Sequence, residues 1–258
     1  MLTHPTLEKL QELRFSGMCA AYREQLESAE YEGLTFDERL GLLVEREHTE
    51  RHNRRLKTRL RQAKLRLTAT VEDIDYRQPR GLDKRLMLSL AACDWIRRRH
   101  NVILTGPTGV GKTYLACALG HKACREGFTV KYQRAPRLFQ DLSLAKADGR
   151  YPKRITALSK IDLLILDDWA TTILTDEQRR DLFEIIEDRY ERRSTIIAAQ
   201  MPLKQWHKAI GDPTLADAIL DRLVHNAHKI TLKGESMRKK RTKDLTDTGA
   251  SGKRTTDN

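Results

Sequence analysis

The run Gly106-Pro107-Thr108-Gly109-Val110-Gly111-Lys112-Thr113 fills every fixed position of the phosphate-cradling pattern G-x-x-x-x-G-K-S/T. Glycines let the backbone turn its N–H groups inward at phosphate oxygens, and the following helix N-terminus adds a positive field. Lys112 is expected to reach the β- and γ-phosphates, Thr113 to ligate Mg²⁺ through its hydroxyl, and Tyr114 to border the nucleotide. A second cluster lies 55 residues after Lys112, where the apolar run Leu163 to Leu166 delivers Asp167 and Asp168. Asp167 is expected to hold the Mg²⁺ hydration shell and Asp168 to orient and polarise an attacking water. Aspartate is one methylene shorter than glutamate, so slow hydrolysis is expected. Gln200, at the end of the next apolar run, could contact the γ-phosphate or the water, or simply cap the strand end. Absence of an N-K-x-D guanine motif favours ATP. Arg222 and Arg238 are further candidates for neutralising γ-phosphate charge, although spacing alone favours reading each as a surface arginine.

These side chains need a scaffold that brings strand ends together. Apolar runs at 101–105, 128–133, 161–166, 195–199 and 229–232 alternate with helical patterns at 114–125, from Pro136 onward, at 176–193 and across 203–228. Such alternation predicts an α/β fold, a parallel sheet flanked by helices. Before it, 7–67 reads as helices, Gln78-Pro79-Arg80-Gly81 as a linker, and 83–99 as one more helix. The domains expected are a helical N-terminal domain at 1–70, an ATPase core at 71–244 and a disordered tail at 245–258.

Charge suggests the partner. A net charge of +12 and a pI near 9.6 point to a polyanion. Arg51, Arg54, Arg55, Lys57, Arg59, Arg61, Lys64 and Arg66 place eight cations in sixteen residues with no acid between them, so DNA contact is expected there. The alternative is a solvated helix face. Four cysteines without C-x-x-C spacing read as buried hydrophobes of a reducing compartment. With no signal peptide and no apolar run approaching about 18 residues, a cytoplasmic protein without membrane attachment is expected.

The phosphate loop, Asp167-Asp168-Trp169, Asp221-Arg222-Leu223 and Gly234-x-Ser236-x-Arg238, in this order, resemble the AAA+ ATPases of the DnaC/IstB group. Ala63-Lys64-Leu65 with Val71-Glu72-Asp73-Ile74-Asp75 is similar to the N-terminal region of IstB-like proteins, ATP-dependent helpers encoded in insertion sequences beside a transposase. The resemblance implies an AAA+ P-loop core, with Arg222 as a finger reaching a neighbouring subunit's ATP and Arg238 as a sensor within its own subunit. The protein would then be a homo-oligomer, a ring or a helical filament. It also implies that residues 134–158 form the helical insertion that lines a DNA channel, where Arg137, Lys146, Arg150, Lys153 and Arg154 supply charge. Ala170 and Gln200 depart from the group's usual Gly and Asn. The expected function is regulation of transposition: oligomerisation on duplex DNA under ATP control and presentation of that DNA to a cognate transposase. The alternatives are a replicative helicase loader of the DnaC kind and a DNA-architectural protein with structural ATP.

Overall fold

The computed structural model describes residues 5–237. Arg238 and the tail at 245–258 lie outside the described residues. Two compact units divide between Arg61 and Gln62. Ala63 and Ala69 are buried, and Leu65 packs beside Gly120 of the nucleotide-side helix.

The first unit holds α1 (Pro5–Glu12), α2 (Ser16–Glu27), a short 3₁₀ turn and α3 (Phe36–Ala63) as far as Arg61. Its tie is a buried carboxylate. Glu47 of α3 accepts the N–H groups of Gly17 (2.7 Å) and Met18 (3.2 Å), which would otherwise be orphaned in the first turn of α2. Arg51 donates to the same carboxylate at 2.6 Å.

The second unit runs α4 (Lys84–Ala91), α5 (Asp94–Arg97), β1 (Asn101–Thr105), α6 (Lys112–Arg125), β2 (Val130–Arg134), α7 (Ala135–Ala147), α8 (Tyr151–Ser159), β3 (Leu163–Trp169), α9 (Asp176–Arg189), β4 (Ser194–Ala199), α10 (Trp206–Ile210), α11 (Pro213–Val224) and β5 (Ala227–Thr231). The five strands are all parallel, in the order β2-β3-β4-β1-β5. Leu164 and Leu166 join a core with Leu138, Leu142, Leu182 and Ile185 of the helices after β2. Ile165 points the other way, onto α6, where Gly120 has no Cβ to keep the helix off the sheet. The single helix expected at 83–99 is two helices. Cys93 has φ 62°, a left-handed conformation that ends α4 and starts α5. The expected helix 176–193 stops at Arg189, whose buried guanidinium donates to the carbonyls of Leu158, Ile161 and Ser194. Among the described residues no helix is long and apolar enough to cross a membrane.

Burial works to raise the pKa of Glu47, but hydrogen bonds from Arg51, Met18 and Gly17 outweigh it and hold the carboxyl below its usual value. Its contribution is therefore fully present above the unfolded value near 4.5 and is lost as pH falls through the lower folded value. Glu47→Gln is expected to cost about 1–3 kcal/mol at pH 7, seen as roughly tenfold or more faster hydrogen exchange at the α2 amides. The difference should shrink on acidification below pH 4.5. Equal α2 exchange in the two proteins at pH 7 would remove Glu47 from this role.

Candidate nucleotide site

The loop between β1 and α6 is bounded by contacts that only glycine permits. Gly106 has φ +144°, and a Cβ there would collide with the Leu232 carbonyl just after β5. That neighbour is fixed, because Leu232 N–H donates to Thr105 at 2.8 Å. Met237 N–H donates to the Gly109 carbonyl at 2.9 Å, so the Gly234-x-Ser236 segment lies on the loop, where Ser236 fills the space beside Gly109. Lys112 Nζ donates to the carbonyls of Gly106 (2.6 Å) and Pro107 (2.7 Å), within the concavity where phosphates would lie. Val110 is buried, and its carbonyl accepts from Arg80 at 3.2 Å.

Thr113 donates its hydroxyl to Asp167 Oδ2 at 2.8 Å. Asp167 is 1% exposed, and an ionised carboxylate so buried needs donors on every side. Tyr132 supplies one at 2.7 Å and the Asp168 N–H another, to Oδ1 at 2.9 Å. Burial, and then the bond to Asp167, push the Tyr132 phenol well above its ordinary pKa, so it stays a donor. A hydroxyl beside a carboxylate is the hard-oxygen pair that suits Mg²⁺, whose remaining positions go to phosphate and water. Thr113 and Asp167 thus fit the metal expected of them.

The other expected residues are distributed unevenly. Gln200 comes to the site: β4 lies between β3 and β1, and Gln200 accepts from the Thr108 hydroxyl at 2.7 Å. Tyr114 is half-buried at the start of α6, its hydroxyl 3.4 Å from the Asp73 carbonyl. Asp168 sits in the left-handed region at φ 55° and faces cations, with Arg134 Nε at 2.6 Å and Arg66 Nη1 at 3.7 Å. Arg222 is at the other end of the sheet. Asn101, the first residue of β1, donates to the Arg222 and Leu223 carbonyls, which leaves about 13 Å of strand, at about 3.3 Å per residue, between Arg222 and its own loop. There its guanidinium pairs with Glu187 and faces the rings of Phe183 and Tyr190.

Several cations expected on DNA are engaged inside the chain. Arg51 is on Glu47 and over the Phe15 ring, and Arg54 is on Ser16. In the insertion Arg137 and Arg154 pair with Asp141, Lys146 with Asp181 and Glu177, and Arg150 with Asp148. Arg55, Lys57, Arg61, Lys64 and Lys153 are exposed and form no ion pair among the described residues. Arg59 is half-buried. Sequence reasoning missed Tyr132, Arg134, Arg66 and Arg80 as site residues. Only strand register could have revealed the first two, because β2 pairs with β3 so that Arg134 stands opposite Asp167.

The fold is similar to that of a DnaC helicase loader (TM-score 0.54, 19% identity, 66% of this chain and all of that one). It is equally similar to replication initiator DnaA bound to AMPPCP and single-stranded DNA (TM-score 0.53, 20% identity, 72% and 57%). An insertion sequence ATP-binding protein, y4pL of Sinorhizobium fredii, is 55% identical over 239 residues, 93% of this chain and 98% of that protein. The family model for IstB-like ATP binding protein matches residues 8–245. On that match and that identity, the chain belongs to the IstB-like ATP-binding proteins of insertion sequences.

Proposed function

We propose that this protein is an ATP-hydrolysing switch that assembles on duplex DNA and presents it to the transposase of its insertion sequence. The observation that carries the reading is the Thr113–Asp167 hydrogen bond, which closes the phosphate loop onto the carboxylate strand inside an IstB-like chain. In the proposed cycle Lys112 would move from the loop carbonyls to the β- and γ-phosphates, and Thr113 and Asp167 are the residues that would hold Mg²⁺. Bound Mg²⁺ supplies neutralisation of the phosphate charge that develops in transfer. Gln200, already on Thr108, is assigned to the γ-phosphate or the attacking water. Asp168 aligns the water and takes its proton at a carboxylate oxygen while the water oxygen bonds to the γ-phosphorus and the bond from that phosphorus to the leaving oxygen of ADP breaks.

Arg222 is too far from its own loop to act on it, which supports the finger in trans and therefore an oligomer. Leaving Glu187 for a neighbour's γ-phosphate exchanges one anion for another of higher charge. Arg238 is proposed as the sensor within the subunit, since the segment just before it lies on the loop. DNA contact is assigned chiefly to Arg55, Lys57, Arg61, Lys64 and Lys153, with Arg59 beside them.

Three experiments test these assignments. Lys112→Ala is expected to lose ATP affinity by several kcal/mol, whereas Asp168→Asn should bind ATP and lose turnover about 10²-fold. Equilibrium binding and steady-state hydrolysis check both, and wild-type values in either protein refute the role given to that residue. Arg222→Ala and Lys112→Ala proteins, each nearly inactive, should regain turnover when mixed, because some interfaces then pair an intact loop with an intact finger. No rescue in mixtures shown to co-assemble would return Arg222 to a structural role. Replacing Arg55, Lys57 and Arg61 together by Gln should flatten the slope of log affinity for duplex DNA against log salt by up to about 3, at about 0.9 per contact. An unchanged slope would make this helix a solvated face, and a preference for single strands would favour a helicase-loader role.

A further inference from the structure

Among the described residues two arginines are buried, Arg80 and Arg189, and they are held differently. Arg189 is a finished structural tie: Nε donates to the Thr195 hydroxyl, Nη1 to the carbonyls of Leu158 and Ile161, and Nη2 to that of Ser194. Arg80, 6% exposed, is unfinished. Its Nη1 donates to the Val110 carbonyl at 3.2 Å and its Nη2 to the Asp75 carbonyl at 2.9 Å, while the buried Nε meets no acceptor among the described residues. Nor does Arg80 form an ion pair among them: Asp75, the acid that acts on it most, is paired with Arg77 at 3.1 Å. Burial accordingly holds the guanidinium below its ordinary pKa. A buried cation without an anion destabilises a fold, so stability alone gives no reason for this one.

The place of the charge supplies a reason. Val110 lies within the phosphate loop, and its carbonyl and the Gly111 N–H belong to one trans peptide, whose two polar groups point in opposite directions. A donor that holds the Val110 carbonyl from one side therefore turns the Gly111 N–H to the other, where loops of this pattern cradle phosphate. The bond also polarises the peptide, which makes that N–H a stronger donor. Gly111 takes φ +104°, and a Cβ on it would stand 2.6 Å from Arg80 Nη1, so the arginine is packed directly against the turn that opens α6. Backbone bonds pin Arg80 itself: its N–H donates to Gln78 at 2.8 Å, and its carbonyl accepts at 2.9 Å from Lys233, just before the segment that lies on the loop.

We propose that Arg80 is a positioning residue for the polyphosphate of the bound nucleotide: it aims the Gly111 N–H into the loop, and its own unpaired charge is offset only when phosphate occupies the far side of that peptide. The inference rests on the nucleotide-binding reading above and adds a residue outside the loop on which the loop's affinity depends. It also gives Arg80 opposite signs in the two states, destabilising in the empty protein and stabilising in the loaded one.

The test uses the full chain with Mg²⁺, as wild type, Arg80→Gln and Arg80→Lys. Its two ligands are ATP and inorganic tripolyphosphate, which carries the phosphates without base or ribose. Equilibrium binding gives the affinities, and thermal unfolding gives the stability with and without ligand. Arg80→Gln should bind both ligands about tenfold to a hundredfold more weakly, the range of a hydrogen bond to a charged group, and should unfold without ligand at a temperature no lower than wild type. Arg80→Lys, which keeps the charge but loses the planar fork, should recover much of the affinity for both. An Arg80→Gln chain that binds tripolyphosphate as wild type does overturns the proposal. So does one that unfolds earlier without ligand or does not fold, because Arg80 is then a structural tie like Arg189. A loss of affinity that Arg80→Lys leaves uncorrected overturns it as well, since charge is then not the cause. A wild type that binds neither ligand removes the nucleotide site itself, whereas one that binds both without hydrolysing ATP removes only the turnover and leaves the Arg80 comparison decisive.

Discussion

Everything in the nucleotide site depends on one hydrogen bond between residues 54 apart, from the Thr113 hydroxyl to the Asp167 carboxylate. For it to form, the C-terminal ends of β1 and β3 must lie at the same edge of the sheet with a single strand between them, and the order β2-β3-β4-β1-β5 meets that requirement. The intervening strand then delivers Gln200 to Thr108 without any further device. Burying Asp167 is the cost, offset by three donors from three different elements: Thr113 of α6, Tyr132 of β2 and the Asp168 amide. A carboxylate so constrained cannot drift, which is what a metal-binding ligand in an open α/β sheet requires.

Charge follows a comparable division of labour. The chain carries +12, yet the cations of α7 and α8 are largely spent on acids of the same unit, with Lys146 on Asp181 and Glu177, and Arg137 and Arg154 on Asp141. Those pairs fasten the insertion helices to each other and to α9. The second half of α3 is different, since Arg55, Lys57 and Arg61 face solvent and like charges on one helix repel. A helix that keeps such repulsion is stabilised most by a polyanion laid against it. That repulsion, more than the net charge, marks the helix as the proposed DNA contact.

The parts legible in the sequence were those fixed by local chemistry. The phosphate loop, the apolar strand ending in two acids, the strand-helix alternation and the parallel sheet could be read because each rests on residue type at short spacing. Register could not be read, and register is what sets Arg134 opposite Asp167 and makes it a neighbour of Asp168. Nor could the break at Cys93 be foreseen, because a left-handed residue without glycine leaves no compositional trace. Partners from other elements were invisible for the same reason: Arg54 looks like a spare charge in a basic run until α3 is set against Ser16 at the start of α2.

The departure at Ala170 has a structural counterpart. Its φ is 56°, a conformation that glycine adopts without strain and alanine does not, and Asp168 two residues earlier has φ 55°. Two non-glycine residues in this region cost of order 1–3 kcal/mol each and persist only where the surroundings over-determine them. Trp169 between them supplies that constraint. It is 1% exposed, its ring centroid is 5.7 Å from that of the fully buried Trp206, and Trp206 is itself fixed by donating to the Met201 carbonyl just beyond Gln200. The indole pair therefore clamps the end of β3 to the segment after β4, the two stretches that carry Asp168 and Gln200. The strain beside the carboxylates is thus carried by apolar packing, the Trp169–Trp206 contact at 5.7 Å between ring centroids, rather than by the side-chain partners of Asp168.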